Sequence, residues 1–531
     1  MANLIIPVER RIVLSTWRRH YRGQDVFAYE GKLPEPRQVA LFRSRIPLSY
    51  NRTILPRWTY VGGFPMSSHS TDTRVTDEVI LLLIDIVGKD HVFVGEDRMN
   101  YGRDETPRTY PVLPDVVVRP DTTAQVSEVM KLANDRVIPV TPRGAGTGLS
   151  GGSVPIRGGI VLSLERMNRI LDIDESNFTA TVEPGVVLGD FHKAVEARGL
   201  YYPLYPGELT ATLGGNVATN AGGMRAVKYG VTRNFLLGLE AVLPTGEIIE
   251  AGGQYVKCST AYDLSQLIAG SEGTLAVITR VILRLIPPPG QRYVVLVPFE
   301  NSDDAINTVP LILKQRILPI GIEFMEKDVV QLTEGFRGKE TPIHDFEASL
   351  IIIVEADNDD EATRISNSIG EVCLGRGAID VYVASDDRAT DILAFREKAW
   401  PAIAQSGKAE MADVVVPRHR MAEFVTKARA VGRELGITIF IVGHAGDGNV
   451  HVTPIAPDAG DSDARMVEFF KNIYTLGASM GGTISGEHGI GFVKKPYLEI
   501  AVSRAKLELM KRIKAAFDPN SIMNPGKIFD P

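Results

Sequence analysis

Cysteine is nearly absent from the 531-residue chain, which carries only Cys258 and Cys373. Two thiols build neither a disulfide framework nor a thiolate-rich metal site, and such sparse use suits a reducing compartment. Any redox chemistry must then come from a bound cofactor. Long apolar runs are lacking too: uncharged stretches such as residues 79–84 fall far short of the ~18 residues that suggest a membrane span. Aromatic residues amount to 7%. They do not interleave with Lys and Arg as in a nucleic-acid-binding surface, so no nucleic-acid partner is expected. No apolar signal core is visible, and Glu9, Asp25, Glu30 and Glu35 spoil the acid-poor pattern of an organellar transit sequence.

What remains is the balance of a globular protein, 44% apolar and 23% charged. The length gives a prior of about three to four structural units. The net charge of −7 hides an asymmetry, because residues 1–60 hold ten Arg and one Lys against four acids. Residues 1–75 read as a solvated basic extension. Such an arm leaves peripheral association with a membrane open; the expected location is otherwise cytoplasmic, or mitochondrial in a eukaryote.

From about residue 110 short β-rich runs alternate with helical periods, which predicts an α+β architecture. Strands are expected at 115–119, 137–141, 159–164 and 179–183. Asp121 offers an N-cap to a helix bearing Val126, Val129, Met130 and Ala133, and a second helix carries Leu188, Phe191 and Val195. Ile286-Pro287-Pro288-Pro289-Gly290 marks a boundary. Beyond it, strands at 293–297, 319–325, 349–355 and 378–383, with helices from Ser302 and through Ala362, Ile365, Ile369 and Val372, have the order of a ferredoxin-like α+β cap. The expected units are 76–288, 289–495, and a C-terminal helix (501–517) with its tail at 496–531.

Two glycine tracts stand out. The first runs Pro142, Arg143, Gly144, Ala145, Gly146, Thr147, Gly148, Leu149, Ser150, Gly151 and contains a GxGxxG match. A dinucleotide fingerprint must open a helix, yet Pro155, Gly158 and Gly159 follow, and then β-rich Ile160-Val161-Leu162. A loop between strands with a run of free N–H groups can still cradle phosphate as a nest. The second tract, with Pro206 and Gly207 ahead of it, holds Thr212, Gly215, Asn216, Thr219, Asn220, Gly222 and Gly223: two hydroxyls and two amides in an apolar glycine-lined stretch. That set suits the edge of a flat heteroaromatic ring with donors and acceptors, although a structural loop is an equal reading of this tract alone. A third piece, Gly270-Ser271-Glu272-Gly273-Thr274 through Ile278, joins a tight turn to a strand.

These segments in this order, with Val182-Glu183-Pro184-Gly185, resemble the FAD-linked oxidases of the vanillyl-alcohol-oxidase-type flavin fold, and among them the 2-hydroxyacid branch. The resemblance runs from about Thr76 to the C-terminus. It implies a two-subdomain FAD-binding domain plus the cap, and FAD held by the residues just named together with Glu272, Gly273, Ile278 and Asn524 in the tail. Covalent members carry a His in the first loop; Leu149-Ser150 stand here, so FAD is expected to be non-covalent.

His444, His451 and His488 fall in two glycine-rich segments. With Asp447-Gly448 as a two-residue hairpin turn, His444 lies opposite His451, close enough to share one metal ion. Glu487 completes a two-His-one-carboxylate set, while His488, adjacent in an extended chain, faces another part of the pocket. The resemblance implies the same division: His444, His451 and Glu487 as ligands of a divalent metal, His488 as catalytic base. Zinc is the first choice, with manganese or iron(II) as alternatives. It also points to Arg396 as the partner of the substrate carboxylate; a salt bridge to a nearby acid is the competing reading. Met411 stands where the hydroxyglutarate branch carries a Lys, which favours a monocarboxylic substrate.

The function expected is FAD-dependent oxidation of a D-2-hydroxy acid of glycolate or lactate type, with His488 taking the hydroxyl proton and flavin N5 the hydride. The electron acceptor stays open among quinone, cytochrome, electron-transfer flavoprotein and an iron-sulfur subunit. The alternatives are a flavoprotein transferase of the alkylglycerone-phosphate synthase type and a flavin-bearing subunit of an iron-sulfur oxidoreductase complex.

Overall fold

A computed structural model of the chain describes residues 75–107, 111–456 and 462–530, together with a short strand pair at Tyr60–Val61 and Phe64–Pro65. Most of the basic extension lies outside the described residues. Beyond that pair, the architecture is α+β with three sheets.

The first is four-stranded, in the order Val92–Phe93, Val116–Val118, Ile160–Ser163, Val140–Arg143, with the last three parallel. Helix Thr123–Asp135 makes the crossover and buries Val126, Val129, Met130 and Ala133. Its N-cap is Thr122, whose hydroxyl accepts from Gln125 N, rather than the expected Asp121, whose own N–H donates to Gln125 Oε1. The strand expected from 137 starts at Val140, because Val137 sits at φ +52 in the turn leaving the helix. No helix separates Arg143 from Ile160, so the glycine loop links two parallel strands directly.

The second sheet is five-stranded and antiparallel: Ile248–Gly252, Leu236–Val242, Val277–Arg284, Thr179–Val182, Ile170–Asp174. Helix Leu188–Glu196 packs Leu188, Phe191 and Val195 into its core. The second glycine tract departs from a pure loop, since Leu213–Thr219 is helical, capped by the Thr212 hydroxyl and ended by Asn220 at φ +53. Glycine is weak in helices, and tertiary packing decides here: a Cβ on Gly214 would lie 2.5 Å from Pro184.

The third sheet has seven strands in the order Tyr382–Ser385, Gln291–Phe299, Ala348–Ala356, Gly321–Glu326, Ile439–His444, Asn449–Pro454, Ala412–Val415. The first four, with helices Ser302–Leu313 and Asp359–Leu374, form the ferredoxin-like unit read from the sequence. The expected strand at 378–383 begins only at Tyr382, with Ala378 making an isolated bridge to Phe299. Three further strands extend the sheet, and their register aligns two rows on one face: Asp413, His451, Val442, Met325, and beside it Asn449, His444, Glu323. A core around Met325, Val442, Phe395 and Ala399 covers part of that face.

The C-terminal helix begins at Arg504, later than the expected 501, where the Ser503 hydroxyl caps it. The tail then pairs with the first sheet through Asn524 N to Val140 O. Lys527 is fully buried, donating from Nζ to Val154 O at 2.5 Å and to Asn524 Oδ1 at 3.2 Å. Burial pushes its ammonium from an ordinary 10.5 down to about 7. Between those values the unfolded chain holds the extra proton, so this site's contribution to stability rises with pH across that window; below about pH 7 its burial cost is fully present. Lys527→Met is expected to flatten this rise. Urea unfolding at pH 7 and pH 9.5 measures it, and an equal increment in both proteins would refute it.

Candidate functional site

A groove runs between the first two sheets. Pro142 to Ser150, Pro206, Thr212, Gly215, Asn216, Thr219, Gly222, Glu272, Gly273 and Ile278 all line it, joined by Ser153, Pro184, Ala218 and Ala276, which were not singled out from the sequence. The remaining expected contacts do not. Gly151 is backed by the Phe492 ring and donates its N–H to Thr106 Oγ1. Asn220 accepts from Arg233 N. Gly207 faces open space, and Gly223 packs under Tyr205 O. Asn524 supports the groove from behind, donating to Gly152 O and Glu272 O, both at 2.8 Å.

The lining fits a flavin nucleotide. A Cβ on Gly144 would sit 2.2 Å from Thr212 Oγ1, so the loop can approach the helix start only as glycine. Asn216, 3% exposed, has an Nδ2 donor without a protein partner. An orphaned buried donor in an apolar wall calls for an acceptor such as a ring carbonyl.

At one end of this groove stands the histidine cluster. The hairpin loop is Ala445-Gly446-Asp447-Gly448, four residues instead of two, so His444 pairs with Asn449 and His451 with Val442. The expected direct opposition of the two histidines is therefore wrong by two positions. A two-residue shift leaves side chains on the same face, and the rings still meet, with centroids 5.1 Å apart at 90°.

Glu487 Oε1 lies 3.2 Å from His444 Nε2 and 3.3 Å from His451 Nε2. His488 does not turn away as an extended chain would require. Ser485 bridges to Asp413 and the chain bends over residues 486–488; the His488 ring stacks on His451 at 5.2 Å and 8°, and its Nε2 is 3.8 Å from the same oxygen. Behind each ring stands a carboxylate. Glu323 accepts from His444 Nδ1 at 2.8 Å, while Asp413 lies 3.7 Å from His451 Nδ1 and 3.8 Å from His488 Nδ1. The Glu323 hydrogen bond turns His444 Nε2 toward the common centre, while Asp413 stands beyond hydrogen-bond reach of the other two rings and acts on them through its charge. Arg396 is buried here, its Nη2 2.9 Å from Glu323 Oε2, so its charge serves the carboxylate behind His444.

Glu323, Asp413 and Lys494 were missed from the sequence. For Glu323 and Asp413 the signal is an acid inside an otherwise apolar strand, Gly321-Ile322-Glu323-Phe324 and Ala412-Asp413-Val414. A lone buried charge there demands partners.

Burial alone would raise the Glu487 carboxyl, but His444 and His451 outweigh it and hold it low. Burial would lower His444, yet the Glu323 and Glu487 charges raise it well above the usual imidazole value. A proton on His444 thus occupies the place a cation would take. Two imidazoles and one carboxylate with donor atoms within 4.8 Å of one another are a donor set for zinc or another divalent ion. Asp413, His451 and His488 cluster as tightly, but Asp413 already accepts from Asn449, Ser485 and three backbone N–H groups, and Lys494 Nζ stands 3.3 Å away. A second cation there would meet a saturated carboxylate and a like charge. His488 is pushed down to about 4 by burial, which Lys494 and His451 reinforce against the opposing Asp413, so it is neutral at pH 7.

Groove and cluster are continuous, since Glu487 and His488 line both. Glu272, read as a cofactor contact, also ties them together by accepting from Ile490 N and Gly491 N at 2.7 Å, and Ser150 Oγ donates to His488 O at 2.9 Å.

Comparison with known proteins agrees with this layout. Residues 114–252 match the family model described as FAD binding domain, and 288–528 that of FAD linked oxidases, C-terminal domain. The chain is 41% identical to a D-lactate dehydrogenase of Anaerostipes hadrus over 86% of this chain and 98% of that one. It is 39% identical to glycolate oxidase subunit GlcD of Bacillus subtilis, covering 81% and 92%. The fold matches a crystal structure of p-cresol methylhydroxylase with substrate bound at a TM-score of 0.71 and 18% identity, over 86% of this chain and 97% of that one.

Proposed function

The chain belongs to the FAD-linked oxidase family, in its 2-hydroxyacid branch, and from that premise we propose that it oxidises a small D-2-hydroxy monocarboxylic acid, of glycolate or lactate type, to the 2-oxo acid. The observation that carries this reading is the entry of Glu487 and His488, from the histidine cluster, into the flavin groove.

FAD, held without a covalent bond by the glycine loop and the Thr212 to Gly222 segment, supplies the two-electron acceptor. His444, His451 and Glu487 would hold a divalent ion, zinc by first choice, which would supply positive charge to acidify the substrate hydroxyl. The chain's own residues do the rest. Neutral His488 accepts the hydroxyl proton, and Asp413 behind its Nδ1 stabilises the imidazolium that results. The Glu323 carboxylate fixes His444, and Arg396 balances that charge. Arg396, expected to meet the substrate carboxylate, is instead engaged by Glu323, and Met411 offers no cation to a second carboxylate.

Anaerobic titration of the flavin's visible absorption with glycolate, D-lactate, L-lactate and D-2-hydroxyglutarate tests the reading. Glycolate or D-lactate should bleach the flavin at least about tenfold faster than the dicarboxylate, since an unmet buried charge costs more than one kcal/mol. Fastest bleaching by hydroxyglutarate, or none by any 2-hydroxy acid, would overturn it.

A further inference from the structure

The bend that carries Glu487 and His488 has little regular structure of its own, yet both side chains must be aimed within a few tenths of an ångström to act. What aims them comes from strand Ala412–Val415, distant in sequence. Asp413, 0% exposed between buried Ala412 and Val414, directs Oδ2 at the N–H groups of Gly486, Glu487 and His488, at 2.9, 3.0 and 3.0 Å. The same oxygen accepts from Ser485 Oγ at 2.9 Å and Lys494 Nζ at 3.3 Å, and Oδ1 accepts from Asn449 Nδ2 at 2.8 Å. Three successive N–H groups converging on one oxygen form a nest, which fixes the backbone direction at each of the three residues. Asp413 also faces the Nδ1 atoms of His451 and His488.

We propose that Asp413 is a positioning residue: it sets the 486–488 bend, and through it directs Glu487 and His488 into the groove before any ion or substrate arrives. This rests on the metal-and-base reading above. A carboxylate is required because one oxygen serves several donors at once, which an amide oxygen does more weakly and an amide nitrogen not at all.

The test uses the FAD-loaded protein stripped of metal by a chelator. In Asp413→Asn, amide hydrogen exchange at residues 486–488 should quicken at least about tenfold while strand Ile160–Ser163 is unchanged. Zinc affinity by equilibrium dialysis should fall roughly 10- to 100-fold. Added to Glu487→Gln, the same substitution should cost less than its full factor, because part of its effect passes through Glu487 and the rest through His451. Unchanged exchange, or a loss that multiplies fully with Glu487→Gln, would overturn the proposal. Should Asp413→Asn fail to fold, Asp413→Glu decides: it keeps the charge but displaces the oxygen from the three N–H groups, so exchange at the same amides should quicken, and no change there overturns the proposal. If the parent protein binds no zinc, the metal reading fails by itself, and the exchange comparison still decides the role of Asp413.

Discussion

His488→Asn is expected to slow reduction of the flavin by substrate by about 10²- to 10⁴-fold in single turnover while FAD stays bound. The reasoning separates two jobs that share one bend. The proposed flavin contacts lie in the glycine loop, the Thr212 helix and the Glu272 turn, none of which needs the imidazole; the His488 contact that supports the loop is its backbone carbonyl, which Asn retains. The side chain alone is lost, with its Nε2 facing the cluster and its Nδ1 facing Asp413. A pH signature accompanies the loss. Burial lowers His488 to about 4, so its base form is populated above that value and is lost only as pH falls toward it. The parent's reduction rate should therefore be flat between pH 6 and 8, where a base with an ordinary value near 6.5 would lose half its rate at that pH. Stopped-flow reduction across this range reads both effects. Parental rates in the variant would remove His488 from the chemistry, and an acid limb centred near 6.5 would show that its burial does not control its charge.

The sequence disclosed the local parts of this site and concealed those that assembly supplies. His444, His451, Glu487 and His488 were legible because each sits in a short glycine-flanked segment where chemistry-bearing residue types crowd together. The hairpin register was misread by two residues, since the favoured Asp-Gly turn lost to a four-residue loop in which Gly448 takes φ +88 under Val416 O. The face survived that error, because side chains alternate with period two. Glu323 and Asp413 were not legible, and although a salt bridge was one of the two readings of Arg396, the distant acid that engages it was not. Glu323 lies 121 residues from His444 and reaches it only because strand Gly321–Glu326 pairs with Ile439–His444. Asp413 meets the 486–488 bend across 73 to 75 residues. The ferredoxin-like order of four strands followed from local alternation, but the addition of three strands beyond it is a matter of long-range pairing that periodicity does not encode. The helix Leu213–Thr219 was hidden by its own glycines, whose weak propensity is overridden by close packing on Pro184.

Removing the ion should be as damaging as removing the base, and the site's electrostatics give that loss a proton count. Chelation, or Glu487→Gln, is expected to lower kcat/KM by about 10²-fold or more, because the hydroxyl then loses the charge that acidifies it. Glu323 and Glu487 raise His444 well above the usual imidazole value, which favours its protonated form in the ion-free site. A cation can bind Nε2 only after that proton leaves, so zinc binding should release about one proton and zinc affinity should rise as pH rises, up to the raised value of His444. In Glu487→Gln one of the two anions that hold the proton is gone. Zinc should then bind more weakly and displace less than a full proton, since His444 is partly neutral beforehand. Titration calorimetry in two buffers of different ionisation enthalpy counts the protons, and flavin reduction before and after chelation reads the activity. Full reduction rates in the stripped enzyme would defeat the assignment of His444, His451 and Glu487 as the ligand set, and zinc binding without proton release would show that Glu323 and Glu487 do not hold the His444 proton.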